Sequence, residues 1–135
     1  MMSAPLALVY GLAVAGEATV RALLRRGFEV VVADDVVTPE RRAIGEELGV
    51  ELLDRPDPAS LHQLVARCAL VSPSPGVPET HAVIAAANEA GVELASEIEL
   101  AYRWEQDRRG GPRPMLAVTG TDGKTTTGFL ATAAL

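Results

Sequence analysis

The 135-residue sequence holds one cysteine and five aromatic side chains: Tyr10, Phe28, Tyr102, Trp104 and Phe129. A single cysteine excludes an intramolecular disulfide framework and fits a reducing compartment such as the cytoplasm, so Cys68 reads as a small buried apolar residue. So few aromatics require a mostly aliphatic core. No apolar run approaches the roughly 20 residues that span a bilayer, which speaks against membrane insertion. The N-terminal stretch MMSAPLALVYG lacks a basic n-region and runs directly into a strand-like segment, so a signal peptide is not expected. The two histidines, His62 and His81, show no metal-ligand spacing with each other or with Cys68, and each reads as a solvated or capping residue. No Ser/His/Asp constellation is visible. A net charge of −6 argues against non-specific nucleic-acid binding.

What is present is the composition of a globular domain, with 48% hydrophobic and 22% charged residues. The charge is uneven. Residues 1–107 carry 8 basic and 17 acidic side chains, whereas 108–135 carry 4 and 1. The change coincides with RRGGPRP at 108–114, the only stretch that reads as a linker. The expected organisation is a domain over 1–107, a linker over 108–114 and the start of a second domain over 115–135.

Within the first domain, short apolar runs alternate with helix-length amphipathic segments. Strands are expected at Leu6–Tyr10, Val30–Ala33, Leu52–Leu53, Leu70–Ser72 and Val92–Ala95. Helices are expected at Glu17–Arg26 before Gly27, from Thr38-Pro39 to Leu48 before Gly49, and from Asp57-Pro58 to about Arg67. Two more run from about His81 to Ala90 before Gly91, and from a Ser96/Glu99 capping box to about Asp107. Leu100, Tyr102 and Trp104 read as one packing side of that last helix. Strands alternating with helices predict an α/β fold, a doubly wound Rossmann-like parallel sheet. In such sheets ligands sit beyond the carboxyl ends of the strands, which selects three loops: Gly11–Gly16, Asp34–Val37 and Ser72–Thr80.

The first of these, GLAVAG, fits the dinucleotide fingerprint except that Ala13 replaces the middle glycine. A helix N-terminus there still offers free N–H groups to an anion, and the alternative is a merely tight strand-to-helix turn. In an acidic domain an anionic ligand must rely on such local groups. Asp34 ends the second strand, where an acid often accepts hydrogen bonds from a ribose; alternatively Asp34 and Asp35 start a turn and cap the next helix. The loop SPSPGVP carries three prolines and a glycine in seven residues, which suits either a rigid ligand wall or a rigid connection.

The strongest segment comes last. An apolar strand expected at Met115–Val118 leads through Thr119-Gly120-Thr121-Asp122-Gly123-Lys124-Thr125-Thr126-Thr127 into an apolar helix, Phe129–Leu135. Strand, glycine-rich turn, Gly-Lys-Thr and helix are the parts of a phosphate-binding loop, with backbone N–H groups cradling phosphates, Lys124 bridging them and the Thr125 hydroxyl available to Mg²⁺. The usual spacing needs glycine at Val118; Gly120 gives a tighter G-x-x-G-K-T instead.

Taken together, GLAVAG, the ADD turn, SPGVP, EIEL at 97–100 and VTGTDGKTTT at 118–127 resemble the Mur ligase family, whose short phosphate loop reads T-G-x-[ND]-G-K-[ST]. The resemblance spans essentially the whole chain. GTDGKTTT alone indicates the wider family, including folylpolyglutamate synthetases; SPGVP and EIEL before it are similar to the D-glutamate-adding branch. The resemblance implies three domains: a UDP-binding Rossmann-like domain, a central ATPase domain and a C-terminal domain for the incoming amino acid. It implies an ATP-dependent, amide-bond-forming enzyme of peptidoglycan biosynthesis, cytoplasmic and monomeric. The chemistry the resemblance implies is phosphorylation of the carboxylate of UDP-N-acetylmuramoyl-L-alanine by ATP, followed by attack of the D-glutamate amine on the acyl phosphate.

By position, Gly11, Val14 and Ala15 fall near the diphosphate, Asp34 and Asp35 in the uracil-proximal turn, and Ser74, Pro75 and Gly76 in the loop beside the UDP moiety. Gly120, Thr121, Asp122, Gly123, Lys124, Thr125 and Thr126 form the ATP-phosphate loop, with Lys124 catalytic and Thr125 the Mg²⁺ ligand. Ala13 departs from the family's usual glycine, and Val36 stands where some members carry arginine. The 135 residues alone are expected to bind the UDP moiety without ligating. The competing readings are a non-catalytic nucleotide-sensing Rossmann module, or another ligase of the same family.

Overall fold

A computed structural model describes residues 2–134, and the chain divides into two compact units, Met1–Arg103 and Trp104–Leu135. In the first unit the chain winds out along one half of a sheet and returns to build the other. The strands are β1 (Leu6–Tyr10), β2 (Glu29–Asp34), β3 (Glu51–Asp54), β4 (Leu70–Pro73) and β5 (Glu93–Leu94). They lie in the order β3-β2-β1-β4-β5, every neighbouring pair parallel. The direction of winding reverses between β1 and β4, so the loops after these two strands diverge and leave a crevice at that edge.

The helices begin and end where side chains satisfy the backbone. These are α1 (Val14–Arg25), α2 (Pro39–Leu48), α3 (Pro58–Val65), α4 (Ala82–Ala90) and α5 (Glu97–Gln106). Thr38 accepts from the Arg41 N–H, Asp57 from Ala59 and Ser60, His81 from Val83 and Ser96 from Glu99. Each acceptor relieves an orphan donor of the first helical turn. The capping box at Ser96 is half made, because the Glu99 carboxylate turns to Arg103 instead. Gly49 and Gly91 take left-handed φ of +66° at the ends of α2 and α4, a conformation that favours glycine.

Alternation along the central strands explains why they read as unbroken apolar runs: both faces are covered. Leu8, Tyr10, Val31, Ala33 and Val71 point into one core with Leu61 and Val65 of α3 and Val83, Ala86 and Ala87 of α4. Ala7, Val9 and Val32 point to the opposite face, and α1, with buried Val20 and Leu23, packs across β1 and β2. Cys68 is buried beside the first core and donates to the Leu64 carbonyl, and burial pushes its thiol up to about 11. It is an inert packing residue.

Several expected boundaries move. α1 begins at Val14 rather than Glu17, because Gly16 is a helical contact residue and not the last loop position. A Cβ at Gly16 would lie 1.9 Å from the Gly11 carbonyl oxygen, so only glycine lets this turn of helix close on the β1 end. Leu100, Tyr102 and Trp104 do not share a side of α5: Leu100 is buried while Tyr102 is half exposed, since alternate residues in a helix diverge by about 200°.

In the second unit, α6 (Lys124–Ala134) starts at Lys124 rather than Phe129, and the expected helix end at Leu135 lies outside the described residues. The strand expected at Met115–Val118 is absent. A strand is held by a ladder partner, and none pairs with this segment among the described residues; Met115 and Leu116 stay exposed. The 108–114 stretch is pinned instead to Glu105, whose carboxylate accepts from the Arg113 N–H, Nε and Nη2 at 2.7–2.9 Å.

The contact at Gly16 has a measurable consequence. Gly16→Ala is expected to lose on the order of 3 kcal/mol of unfolding free energy through overpacking against rigid backbone. Gly45→Ala, whose added Cβ would come no nearer than 3.4 Å to Leu52 and 3.8 Å to the Val50 carbonyl oxygen, is expected to be neutral or to gain about 0.5 kcal/mol. Urea unfolding of the two variants checks the contrast, and equal midpoints would remove the constraint assigned to Gly16.

Candidate functional site

Three loops meet at the carboxyl edge of β1, β2 and β4 and enclose a cleft of about 460 Å³. Every residue expected near a UDP moiety lines it: Gly11, Val14, Ala15, Asp34, Asp35, Ser74, Pro75 and Gly76. The loop after β1 turns at Gly11, with φ of +94°, and Ala13 is the extended N-cap of α1. Ala13 has φ of −95°, so a methyl group is tolerated where the fingerprint has glycine. Its side chain accepts nothing, and the first helical hydrogen bond comes from the Glu17 N–H. The N–H groups of Val14, Ala15 and Gly16 therefore have no partner among the described residues, and they end the helix with partial positive charge at the cleft.

The loop after β4 is fastened to the first. The Ser74 hydroxyl donates to the Gly11 carbonyl at 2.7 Å, and the Ser74 N–H donates to the Tyr10 carbonyl at 2.9 Å. Between these bonds and the prolines, the wall Ser74–Pro78 has little freedom.

Asp34 is only 5% exposed, and donors from three directions satisfy it. Oδ2 accepts from the Leu12 N–H at 2.6 Å; Oδ1 accepts from the Val36 N–H at 2.9 Å and from Arg41 Nη1 at 2.7 Å. This carboxylate ties the β1 loop to the β2 turn and to α2. Asp35 is the hub of a second network. The Tyr10 hydroxyl donates to Oδ1 at 2.8 Å, and His81 Nε2 lies 3.0 Å from Oδ2. Because His81 Nδ1 accepts the Val83 N–H, the ring proton belongs on Nε2, which donates to Asp35. The Tyr10 and His81 rings are tilted against each other at 4.5 Å.

Burial pushes the Tyr10 phenol well above its usual value, and the bond to Asp35 adds to the shift. Burial alone would raise the Asp35 carboxyl, but the hydrogen bonds from Tyr10 and His81 outweigh it and hold the group below the ordinary range.

Sequence reasoning missed Tyr10 and Arg41, which also line the cleft. Tyr10 is the last residue of β1, and Arg41 sits three residues after the Thr38 cap. Their positions at the starts and ends of elements beside the selected loops were the available signal. His81 was expected to be solvated or capping; it caps α4 and also reaches Asp35. His62 pairs with Glu89 at the surface at 3.0 Å.

The second unit holds the other expected site by itself. Gly120 and Gly123 have φ of +149° and +71°, conformations that favour glycine, and Lys124, the only lysine of the chain, opens α6. Its Nζ donates to the Gly120 carbonyl, curling the side chain over the turn. Thr121, Asp122, Thr125 and Thr126 are exposed around it. No group of three or more His, Cys, Asp or Glu side chains suited to a metal exists among the described residues. No helix among the described residues is long and apolar enough to cross a membrane.

A doubly wound parallel sheet with its cleft at the switch point defines a Rossmann-like α/β domain. Residues 6–96 match the family described as Mur ligase MurD-like, N-terminal domain, and the chain belongs to that family. It is 45% identical over 127 residues to the UDP-N-acetylmuramoylalanine--D-glutamate ligase of Frankia casuarinae, covering 89% of this chain and 24% of that protein. The ligase of the same name from Mycolicibacterium vanbaalenii is 38% identical over 121 residues, with coverage of 89% and 24%. The chain thus spans about a quarter of the length of these relatives. Among solved structures, a pseudomurein peptide ligase type C from Methanothermus fervidus superposes with a TM-score of 0.62 at 23% identity, over 91% of this chain and 24% of that one. At that identity the likeness concerns the fold.

Two outcomes follow from the carboxylates. Asp34→Ala leaves two N–H groups without their acceptor and strips the Arg41 guanidinium of its carboxylate, leaving it the Val36 carbonyl alone, and is expected to cost about 2 kcal/mol or more, read as a lower urea midpoint. The depressed Asp35 value means that its stabilisation is present above the unfolded value of about 3.9 and is lost as pH falls through the lower folded value. Unfolding free energy should drop below about pH 4, and Asp35→Asn should flatten that slope. An unchanged slope would assign the acid sensitivity elsewhere.

Proposed function

We propose that the first unit binds the UDP moiety of UDP-N-acetylmuramoyl-L-alanine, and that the segment around Lys124 supplies the ATP-phosphate loop of the ligase that adds D-glutamate in peptidoglycan synthesis. The observation that carries this reading is the cleft. Three loops converge on it, and the unpartnered N–H groups at the start of α1 face it from an otherwise acidic domain. Such N–H groups and the helix dipole supply local attraction for a diphosphate that the net charge does not.

Asp34 supports a UDP compound over a dinucleotide such as NAD⁺. A dinucleotide-binding domain turns the acid at this place to a ribose, whereas here this chain's own donors engage both carboxylate oxygens. Asp34 acts by holding the loop that holds the diphosphate.

In the proposed reaction a carboxylate oxygen of the UDP substrate attacks the γ-phosphorus of ATP, and ADP leaves as the bond from that phosphorus to the bridging oxygen breaks. The neutral amine of D-glutamate then attacks the acyl carbon, the carbon–oxygen bond to phosphate breaks, and the amine proton leaves with the phosphate or to solvent. Lys124 would bridge the transferring phosphate and offset its developing charge, and the turn from Gly120 to Gly123 would present backbone N–H groups to it. The Thr125 hydroxyl fits a hard cation such as Mg²⁺, which would supply further charge neutralisation. The segment 115–135 is the proposed start of the ATP-binding domain.

Calorimetric titration of the 135-residue chain tests the reading. UDP-N-acetylmuramoyl-L-alanine is expected to bind with a Kd between about 10 μM and 1 mM, and NAD⁺ to give no saturable heat. Binding of NAD⁺ without binding of the UDP compound would overturn the assignment.

A further inference from the structure

The two glycines that bound the GLAVAG loop make room for the same hydroxyl. A Cβ at Gly11 would lie 3.0 Å from the Ser74 Cβ and 3.2 Å from its Oγ, and a Cβ at Gly16 would lie 2.9 Å from that Oγ. Ser74 belongs to the loop after β4, 63 residues along the chain from Gly11. The fit is directed, because Ser74 Oγ donates to the Gly11 carbonyl at 2.7 Å. The peptide joining Gly11 to Leu12 is thereby held at both ends by side chains, since the Leu12 N–H donates to Asp34 Oδ2 at 2.6 Å. Glycine, here with φ of +94°, leaves such a peptide several allowed orientations, and the two bonds select one.

A serine hydroxyl has a single proton to donate, so Ser74 cannot serve the Gly11 carbonyl and a ligand oxygen at once. Its backbone is occupied too: the Ser74 N–H donates to the Tyr10 carbonyl and the Ser74 carbonyl accepts the Val77 N–H, each at 2.9 Å. The Ala13 carbonyl accepts the Glu17 N–H at the same distance. Tyr10, Gly11, Ala13 and Ser74 all line the cleft, and each of their carbonyls is taken by a donor of the chain itself. Two of those four donors come from Ser74. We propose that Ser74 is a positioning residue for the phosphate end of the cleft, one that acts on an anionic ligand through the Gly11 carbonyl and not by touching the ligand. Without the hydroxyl, a carbonyl oxygen with partial negative charge stays unsatisfied beside the phosphate position, where the low local dielectric makes its repulsion count. The inference rests on the UDP reading of the cleft and adds how one side chain keeps that cleft fit for an anion.

The test compares UDP, inorganic pyrophosphate and uridine as ligands of the 135-residue chain and of Ser74→Ala, followed by amide and carbonyl chemical shifts. Ser74→Ala is expected to weaken UDP and pyrophosphate by about tenfold each, the scale of one acceptor left unpaired. Uridine carries no phosphate and should bind both chains alike. The Gly11 carbonyl resonance should move in the variant while the Leu12 amide, held by Asp34, keeps its position. A serine that merely supports the loop would weaken uridine as well and displace the Leu12 amide. Equal UDP affinity in the two chains, uridine weakened as much as UDP, or a UDP complex in which Ser74 Oγ has left Gly11 for a phosphate oxygen would each overturn the role. Failure of the unsubstituted chain to bind UDP at all would instead remove the reading of the cleft, and the role of Ser74 with it.

Discussion

The arrangement depends on one buried carboxylate. Asp34 sits at the end of the second strand where water hardly reaches it, and a charge in that position persists only if donors replace the lost hydration. They come from the loop after β1, from the turn after β2 and from the first turn of α2. Satisfying a single side chain therefore fixes three segments against each other. The cleft lies among those segments, and its shape follows from the way Asp34 is satisfied.

The other constraints work in the same direction. Gly16 admits no Cβ against the Gly11 carbonyl, so α1 starts hard against the end of β1. Ser74 closes the third side through its bond to that carbonyl. Beneath them, Tyr10, Asp35 and His81 link the ends of β1 and β2 to the start of α4. A site assembled from loops would ordinarily be mobile; here backbone approach, proline and buried polar bonds preorganise it.

Much of this was legible in the residues. Thr38-Pro39 and Gly49 bound α2 as their chemistry requires, and Gly91 ends α4. The apolar runs marked buried parallel strands, and the glycine and proline loops marked the cleft. Where expectation and structure part, a partner decides. Met115–Val118 has the composition of a strand, but composition does not provide a neighbour to pair with. Gly16 looked like loop because its reason for being glycine is a contact with Gly11 that local pattern does not encode.

Sequence by itself determined the class of the fold, the order of the elements in the first unit and the loops that line the cleft, because those follow from hydrophobic period and from the φ preferences of glycine and proline. Tertiary structure alone decided what the polar side chains do. Asp34 and Asp35 are neighbours of the same type, yet one is buried as a strut and the other joins Tyr10 to His81. Arg41 and Arg55 face one turn, yet among the described residues the Nε and Nη2 of Arg55 meet a backbone carbonyl and those of Arg41 do not. Which group a donor meets depends on where distant strands bring it, and no spacing along the chain contains that distance.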